Sequence, residues 1–517
     1  MRFQTIILSA LMLLSTIVEA QNSQGRFKDS VYIDYDFQCS QYQSIYHENP
    51  SALVGWNYDN WSFIGAEFTG AKGNFRNPQK YSNLSNLDIK TESIYKIDES
   101  GWIFHGMFRY SNGTVDSVHT NLSYNIPSTG TPYYLFMAKS GVWNLQNYEF
   151  NVSAAKELGK SFSIGAKIIY NGDLAFRRID TRNNQTSLIS GVTLAGGYKL
   201  NLKNTLSIGV NYNRVKTEPT LSNKYHHETT SLIYNRYLNA GLGTYIKNIS
   251  DYKIKIEDVF KGVLAHWLYH SGDNKYSLLY KMGIGEENYY NKRETSIEVE
   301  NLILKYKYLS HTLDAFFIHK WEDKYINIAA NSKLIKGEGN QWIESSASYL
   351  ANYQVDLLNI DMNATLYQPN SILRKVSVIT GLEKEERLDK NYGYQFNYTN
   401  FSAGLSAQLS VLFKKGEISL ESGGVFKKNI DNTNSPNAAT SNIYTTWIAY
   451  PTMSYLSSDF ITFPSQIKYE IPLRNYFLEF TLHATIIKPL KINSPTGAMF
   501  TVEDNFCFYG LSTKFYF

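Results

Sequence analysis

The chain has 517 residues, a formal net charge of +4, and a composition that is 43% hydrophobic and 15% aromatic, with 41 Tyr, 28 Phe and only 12 Pro. So small and evenly mixed a charge gives no ground for a nucleic-acid partner, and two cysteines, Cys39 and Cys507, exclude a disulfide scaffold or a cysteine metal site. After residue 20 no run approaches the ~18 apolar residues of a spanning helix, which excludes a helical membrane protein but not a barrel, whose strands alternate lipid-facing and lumen-facing side chains.

The first element is a signal peptide over residues 1–20. Arg2 precedes an apolar run from Ile6 to Val18, and Val18-Glu19-Ala20 suits a signal peptidase. The run is shorter than the ~20 residues of a membrane anchor, and Gln21 stands where a lipoprotein has cysteine. Residues 21–50 then form an N-terminal periplasmic segment, and 51–517 a transmembrane β-barrel. Since 21–50 is too short for a soluble plug domain, an energised gated receptor is not expected.

From there, period-2 alternation dominates. After a lone strand near Trp61–Phe68 comes the hairpin 87–97 and 102–111, turning at Asp98-Glu99-Ser100-Gly101. Further hairpins turn near Leu158-Gly159-Lys160, Asn201–Asn204, Gly272–Asn274, Ser310-His311, Leu358-Asn359, Lys414–Gly416 and Arg474-Asn475. Longer polar stretches at 216–228, 322–342, 383–400, 428–442 and 487–505 separate them. Tight turns alternating with long loops are the habit of an outer-membrane barrel. Eight pairs plus two end strands predict about 18 strands, within a range of 14–18. The alternating runs last about 10–13 residues, near the ~9–11 that cross a bilayer at a tilt, whereas a soluble propeller or sandwich would use shorter ones.

The last strand, 506–517, puts Tyr509, Leu511, Phe515 and Phe517 on one face. It resembles the C-terminal assembly signal of bacterial outer-membrane proteins, which presents a strand edge to the barrel-assembly machinery. That machinery, outer-membrane lipid and lipopolysaccharide are the partners this reading implies, in the cell outer membrane. Within the class, Gly70-Ala71-Lys72-Gly73-Asn74-Phe75-Arg76, Glu92-Ser93-Ile94-Tyr95 and Gly106 resemble an uncharacterised outer-membrane β-barrel family of Bacteroidota that carries only a domain-of-unknown-function label. The resemblance implies an outer-membrane location and company with a TonB-dependent uptake system. It brings no catalytic residue and no substrate.

Candidate chemistry lies in the lumen and loops. If 87–98 pairs with 101–111, then Asp88, Lys90, Glu92, Lys96, His105 and Arg109 share one side. Charges on the lipid face would cost ~2–4 kcal/mol each near the midplane, so that side is the lumen. There they line a charged pore or form a structural ion-pair network, with Glu92 and Arg109 within diagonal reach. Lys72 and Arg76 mark a loop motif, either folded into the lumen or on the surface. His266 and His270 are ~13 Å apart along a strand and cannot share a metal ion; His226-His227-Glu228 reads as a solvated loop. No G-x-S-x-G, H-E-x-x-H or phosphate loop occurs, so neither an enzyme nor a cofactor is expected. The function expected is a pore or uptake-associated transport barrel for an unidentified solute; the alternative is a non-conducting barrel that docks a surface complex.

Overall fold

The computed structural model describes residues 45–517 except 57–59, 98–99, 125–127, 225–235, 248–252, 294–298, 414–415, 436–442, 474–475, 494–501 and 503. Eighteen strands form one antiparallel sheet closed on itself, each paired with its neighbour in chain order. They are β1 (Trp61–Gly73), β2 (Asn83–Ile97), β3 (Trp102–Val118), β4 (Gly141–Leu158), β5 (Phe162–Arg177) and β6 (Arg182–Lys199). Next come β7 (Asn204–Ser222), β8 (Lys253–Ser271), β9 (Asn274–Arg293), β10 (Val299–Trp321), β11 (Lys324–Ile343) and β12 (Ser348–Tyr367). The set ends with β13 (Leu373–Asp389), β14 (Tyr394–Phe413), β15 (Gly416–Ser435), β16 (Asp459–Leu473), β17 (Tyr476–Lys491) and β18 (Phe506–Tyr516). β18 pairs with β1, Tyr516 opposite Phe63, so no sheet edge is left for another chain to extend.

This is an outer-membrane-type barrel. On β7 the outward side chains Leu206, Ile208, Val210 and Tyr212 are 44–73% exposed, an apolar belt roughly 20 Å tall at ~3.3 Å per residue. Above it the outward residues turn charged, and Arg214 meets Glu257 at 2.8 Å. The strands therefore outrun the 10–13 residues expected, reaching 23 in β10, and the excess stands at the long-loop end. The C-terminal residues Tyr509, Leu511 and Phe517 are 46–55% exposed on the same outer face, and the Phe517 backbone exchanges two hydrogen bonds with Ser62.

Two expected hairpins are corrected. Ser310-His311 lies inside β10 and Leu358-Asn359 inside β12; those strands turn at residues 322–323 and 368–372 instead. The stretches 322–342 and 383–400, expected as loops, belong largely to β11, β13 and β14. In each case the apolar face changes sides in mid-strand. Leu304, Tyr306 and Tyr308 point into the lumen, 0–6% exposed, whereas Leu313 faces outward, 42% exposed. On β12, Tyr353 and Val355 are inside while Ile360 and Met362 are outside. A phase change of a period-2 pattern looks like a turn when only the pattern is available.

The inward apolar stretches exist because the lumen is filled. Near the short-turn end the segment 45–56 enters the barrel and packs on Trp61, Phe63, Ile94, Ile103, Phe316, Phe477 and Tyr516. At the other end the connections β3–β4, β7–β8 and β15–β16 fold inward. They contribute a three-stranded sheet and the helix Tyr450–Leu456, and they build the largest apolar cluster of the molecule with the wall. Among the described residues no helix is long and apolar enough to cross a membrane. The signal peptide, Cys39 and His226-His227-Glu228 lie outside the described residues; Cys507 is a free, partly exposed thiol.

Candidate functional site

Besides its apolar packing, the lower plug is docked by backbone fit and polar contacts. Asn49 caps the short 3-10 helix Pro50–Gly55, its Oδ1 accepting from the Ser51 N–H at 3.1 Å. The Asn49 Nδ2 meets His266 Nδ1 at 2.8 Å, and His266 Nε2 meets the Ser277 hydroxyl at 2.8 Å. This histidine, 2% exposed, thus serves the plug. Lys167 donates to the His47 carbonyl at 2.8 Å, and Glu48 lies 3.2 Å from Lys281 and 3.8 Å from Lys167. Enclosure by the wall opposes ionisation of Glu48, but His47, Lys281 and Lys167 outweigh it and hold the carboxyl well below its usual range. Gly165 is required here, since a Cβ would stand 2.3 Å from the Pro50 carbonyl carbon.

The upper plug hangs from tyrosine hydroxyls. Tyr306 donates to the Thr129 carbonyl at 2.5 Å and Tyr353 to that of Gly130 at 2.9 Å. Thr131 donates to the fully buried Glu287 at 2.7 Å. An inward loop brings backbone groups that need partners, and these wall side chains supply them. Part of the high tyrosine content therefore lines the lumen rather than a lipid girdle.

Between the plugs lies a polar chamber. A cavity of about 500 Å³ adjoins His47 and is lined by Asp88, Lys90, Arg109, Glu149 and Lys514. A second, of about 1010 Å³, shares Arg109 and Glu149 with the first and reaches Lys80 in the β1–β2 loop. The expected lumen residues of β2 and β3 divide among these places. Arg109 pairs with Asp88, Nε and Nη2 both 2.9 Å from Oδ1. His105 meets Glu92 at 3.0 Å, and Lys90 meets Glu92 at 2.6 Å. The register sets Lys90 opposite Arg109 and Glu92 opposite Met107, and of the diagonals available to Arg109, Asp88 takes the contact. Glu92 and His105 are buried below the cavity, while Lys96 is exposed near the short-turn rim, its backbone N–H donating to Asn60.

Lys72 points outward at the end of β1, and Arg76 is buried in the loop itself. Arg76 donates to the carbonyls of Pro78, at 2.8 Å, Lys80, and Ser117, at 2.9 Å, so it holds the β1–β2 loop together. Burial lowers its guanidinium to about 10 and the neighbouring His119 to about 4, with Arg76 adding to the latter shift. An Arg76→Ala chain should lose about 2–3 kcal/mol, because buried carbonyls lose a charged donor. Urea unfolding in liposomes measures this, and an unchanged midpoint would refute the role.

Sequence reasoning missed Glu149, Asn171, Asp173, Glu383 and Glu385 of the chamber. Glu149, Asn171 and Asp173 alternate with Tyr148, Phe150, Tyr170 and Leu174, a visible signal that nothing local distinguishes from other lumen positions, whereas Glu383 and Glu385 sit in the charged run 383–387, which reads as a loop. Among the described residues no group of three or more His, Cys, Asp or Glu could hold a metal ion.

A model of a Family of unknown function (DUF6850) matches residues 50–517. No curated protein sequence matches the chain. Among solved structures, it is similar to the FrpB iron transporter from Neisseria meningitidis, with 10% identity over 91% of this chain and 83% of that one and a TM-score of 0.44. It is also similar to the ferric yersiniabactin uptake receptor FyuA from Yersinia pestis, with 6% identity over 89% and 80% and a TM-score of 0.42. A Pseudomonas aeruginosa FadL homologue shares 11% identity over 90% and 92%, with a TM-score of 0.34.

Proposed function

The chain belongs to the Family of unknown function (DUF6850), and from that premise we propose that it is an outer-membrane uptake barrel whose lumen is closed at rest. The observation that carries this reading is the polar chamber between two docked plugs. A barrel serving only as an anchor has no need of a cavity lined by convergent polar groups, whereas a transporter does. The lower plug is held by non-covalent contacts, an apolar cluster together with hydrogen bonds and ion pairs that exchange with water, so it can leave without breaking the wall. A TonB-dependent uptake system is the partner we place beside it, since undocking takes work.

Planar-bilayer recording tests the reading. The native chain should be closed or show brief openings, and Asn49→Ala with His266→Ala should give stable conducting steps. Native closure should persist between pH 7 and pH 5. Glu48 has a depressed value when docked, so its contribution is present above the ordinary carboxylate range and is lost only as pH falls through that depressed value. A correctly folded double variant that stays silent sinks the uptake reading. It would favour the second reading, a docking barrel, to which the tight aromatic packing of the upper plug lends support.

A further inference from the structure

We propose that the chamber is a binding site for a neutral, hydroxyl-rich solute of oligosaccharide size, and that it rejects anions. The inference rests on the uptake reading only for its biological role; the site itself is argued from its lining.

The larger cavity, about 1010 Å³, lies at the upper end of the ~300–1,000 Å³ usual for ligand sites, and its lining mixes apolar and polar groups. Beside apolar wall residues such as Leu84, Leu145 and Ile189, side-chain amides recur: Asn86, Asn147, Asn171 and Asn359, with Gln79 and Asn121 from the loops. An amide offers both donors and an acceptor. A sugar hydroxyl likewise donates once and accepts twice, so amides match a polyol without a charge on it. Trp143, Tyr124 and Tyr398 also line this space, and aromatic faces suit the C–H faces of a pyranose ring. Asn171 lines the chamber between Tyr170 and Gly172 of β5.

The charges of the lining act against anions. The two arginines of the larger cavity are engaged by carboxylates, Arg109 by Asp88 and Arg387 by Glu385. Glu149, Asp173 and Glu383 add three further carboxylates to the lining. Lys80 is the remaining cation of this lining, and it is exposed. An anion entering past Lys80 meets surplus negative charge in a lumen where screening is weaker than in bulk water. A neutral polyol loses nothing to that field and gains strong acceptors, since an ionised carboxylate accepts hydroxyl donors more strongly than a neutral group does.

Equilibrium dialysis of the full-length chain in detergent micelles tests this, with maltotriose, cellotriose and xylotriose as neutral probes and citrate as the anion. At least one trisaccharide should bind, at least tenfold more tightly than citrate. Asn171→Leu and Glu149→Ala should each weaken that binding by about tenfold, the worth of one hydrogen bond to a neutral or charged partner. Heat-modifiable electrophoretic mobility reports that each variant still folds as a barrel. Binding of citrate as tight as the sugars, or no binding by any trisaccharide, overturns the proposal. So does trisaccharide binding that both variants leave intact. Sugar binding by a chain whose unlatched variant is electrically silent would keep the site and remove the uptake role, so the two failures are distinguishable.

Discussion

A Gly165→Val chain should conduct steadily where the native barrel is closed. The valine Cβ would stand 2.3 Å from the Pro50 carbonyl carbon and 2.4 Å from the Ser51 nitrogen, both backbone atoms with no side-chain freedom to yield. The wall cannot retreat, because Gly165 sits in β5 opposite Ala155 of β4 and Ala195 of β6, paired on both sides. Overpacking a fitted contact costs about 1–3 kcal/mol even where side chains can adjust, and here only the plug can move. The contacts of Asn49, Glu48 and Lys167 remain chemically intact in this variant, so opening would come from steric exclusion alone. Gly172→Val is the control, since a Cβ at Gly172 meets nothing within 4 Å. The expected result is long-lived single-channel steps from the first variant and native closure from the second. If Gly165→Val stays closed while folding normally, residues 45–56 are not by themselves the gate of the lumen.

The second large effect is on stability. Arg374→Ala should cost about 3–5 kcal/mol, the penalty for stranding one partner of a buried ion pair. Arg374 Nη1 lies 3.0 Å from Glu417 Oε1, and both side chains are about 5% exposed. The Ser419 hydroxyl also donates to Glu417, at 3.2 Å. Register places Leu373 opposite Leu409 and Lys375 opposite Gln408, so Arg374 is the extra residue of a bulge, a device that re-aims a side chain. Urea titration in liposomes, followed by tryptophan fluorescence, should show the lowered midpoint. Arg374→Met combined with Glu417→Leu should recover most of the loss, because removing both charges leaves nothing stranded. A double variant as unstable as the single one would show that the pair itself, and not the stranded charge, carries the stability.

The two hairpins that moved show how far pattern alone can reach. In the hairpin at Leu158–Lys160 the expected turn holds, because the apolar face of β4 and β5 stays on the lipid side from Tyr148 to Ile168. In β10 and β12 it does not, because Tyr306 and Tyr353 are apolar toward a plug rather than toward lipid. The strand number survived, since β10 to β13 were expected as four strands in shifted places. Arg76 shows the same limit for a single side chain. Its charge and neighbouring glycines were legible, but its partners include the Ser117 carbonyl, 41 residues away.

The sequence by itself determined the class of fold: two-faced strands, tight turns on one end and an outward aromatic face on β18. Those follow from local periodicity, because a bilayer demands an apolar side chain at every second position of each crossing. Only the tertiary structure decided what occupies the lumen. The meeting of Asn49 with His266, of Pro50 with Gly165 and of Thr131 with Glu287 depends on barrel closure, which brings together residues more than a hundred positions apart. No period in the chain encodes such encounters, and the chamber they leave between them is where the function is proposed to reside.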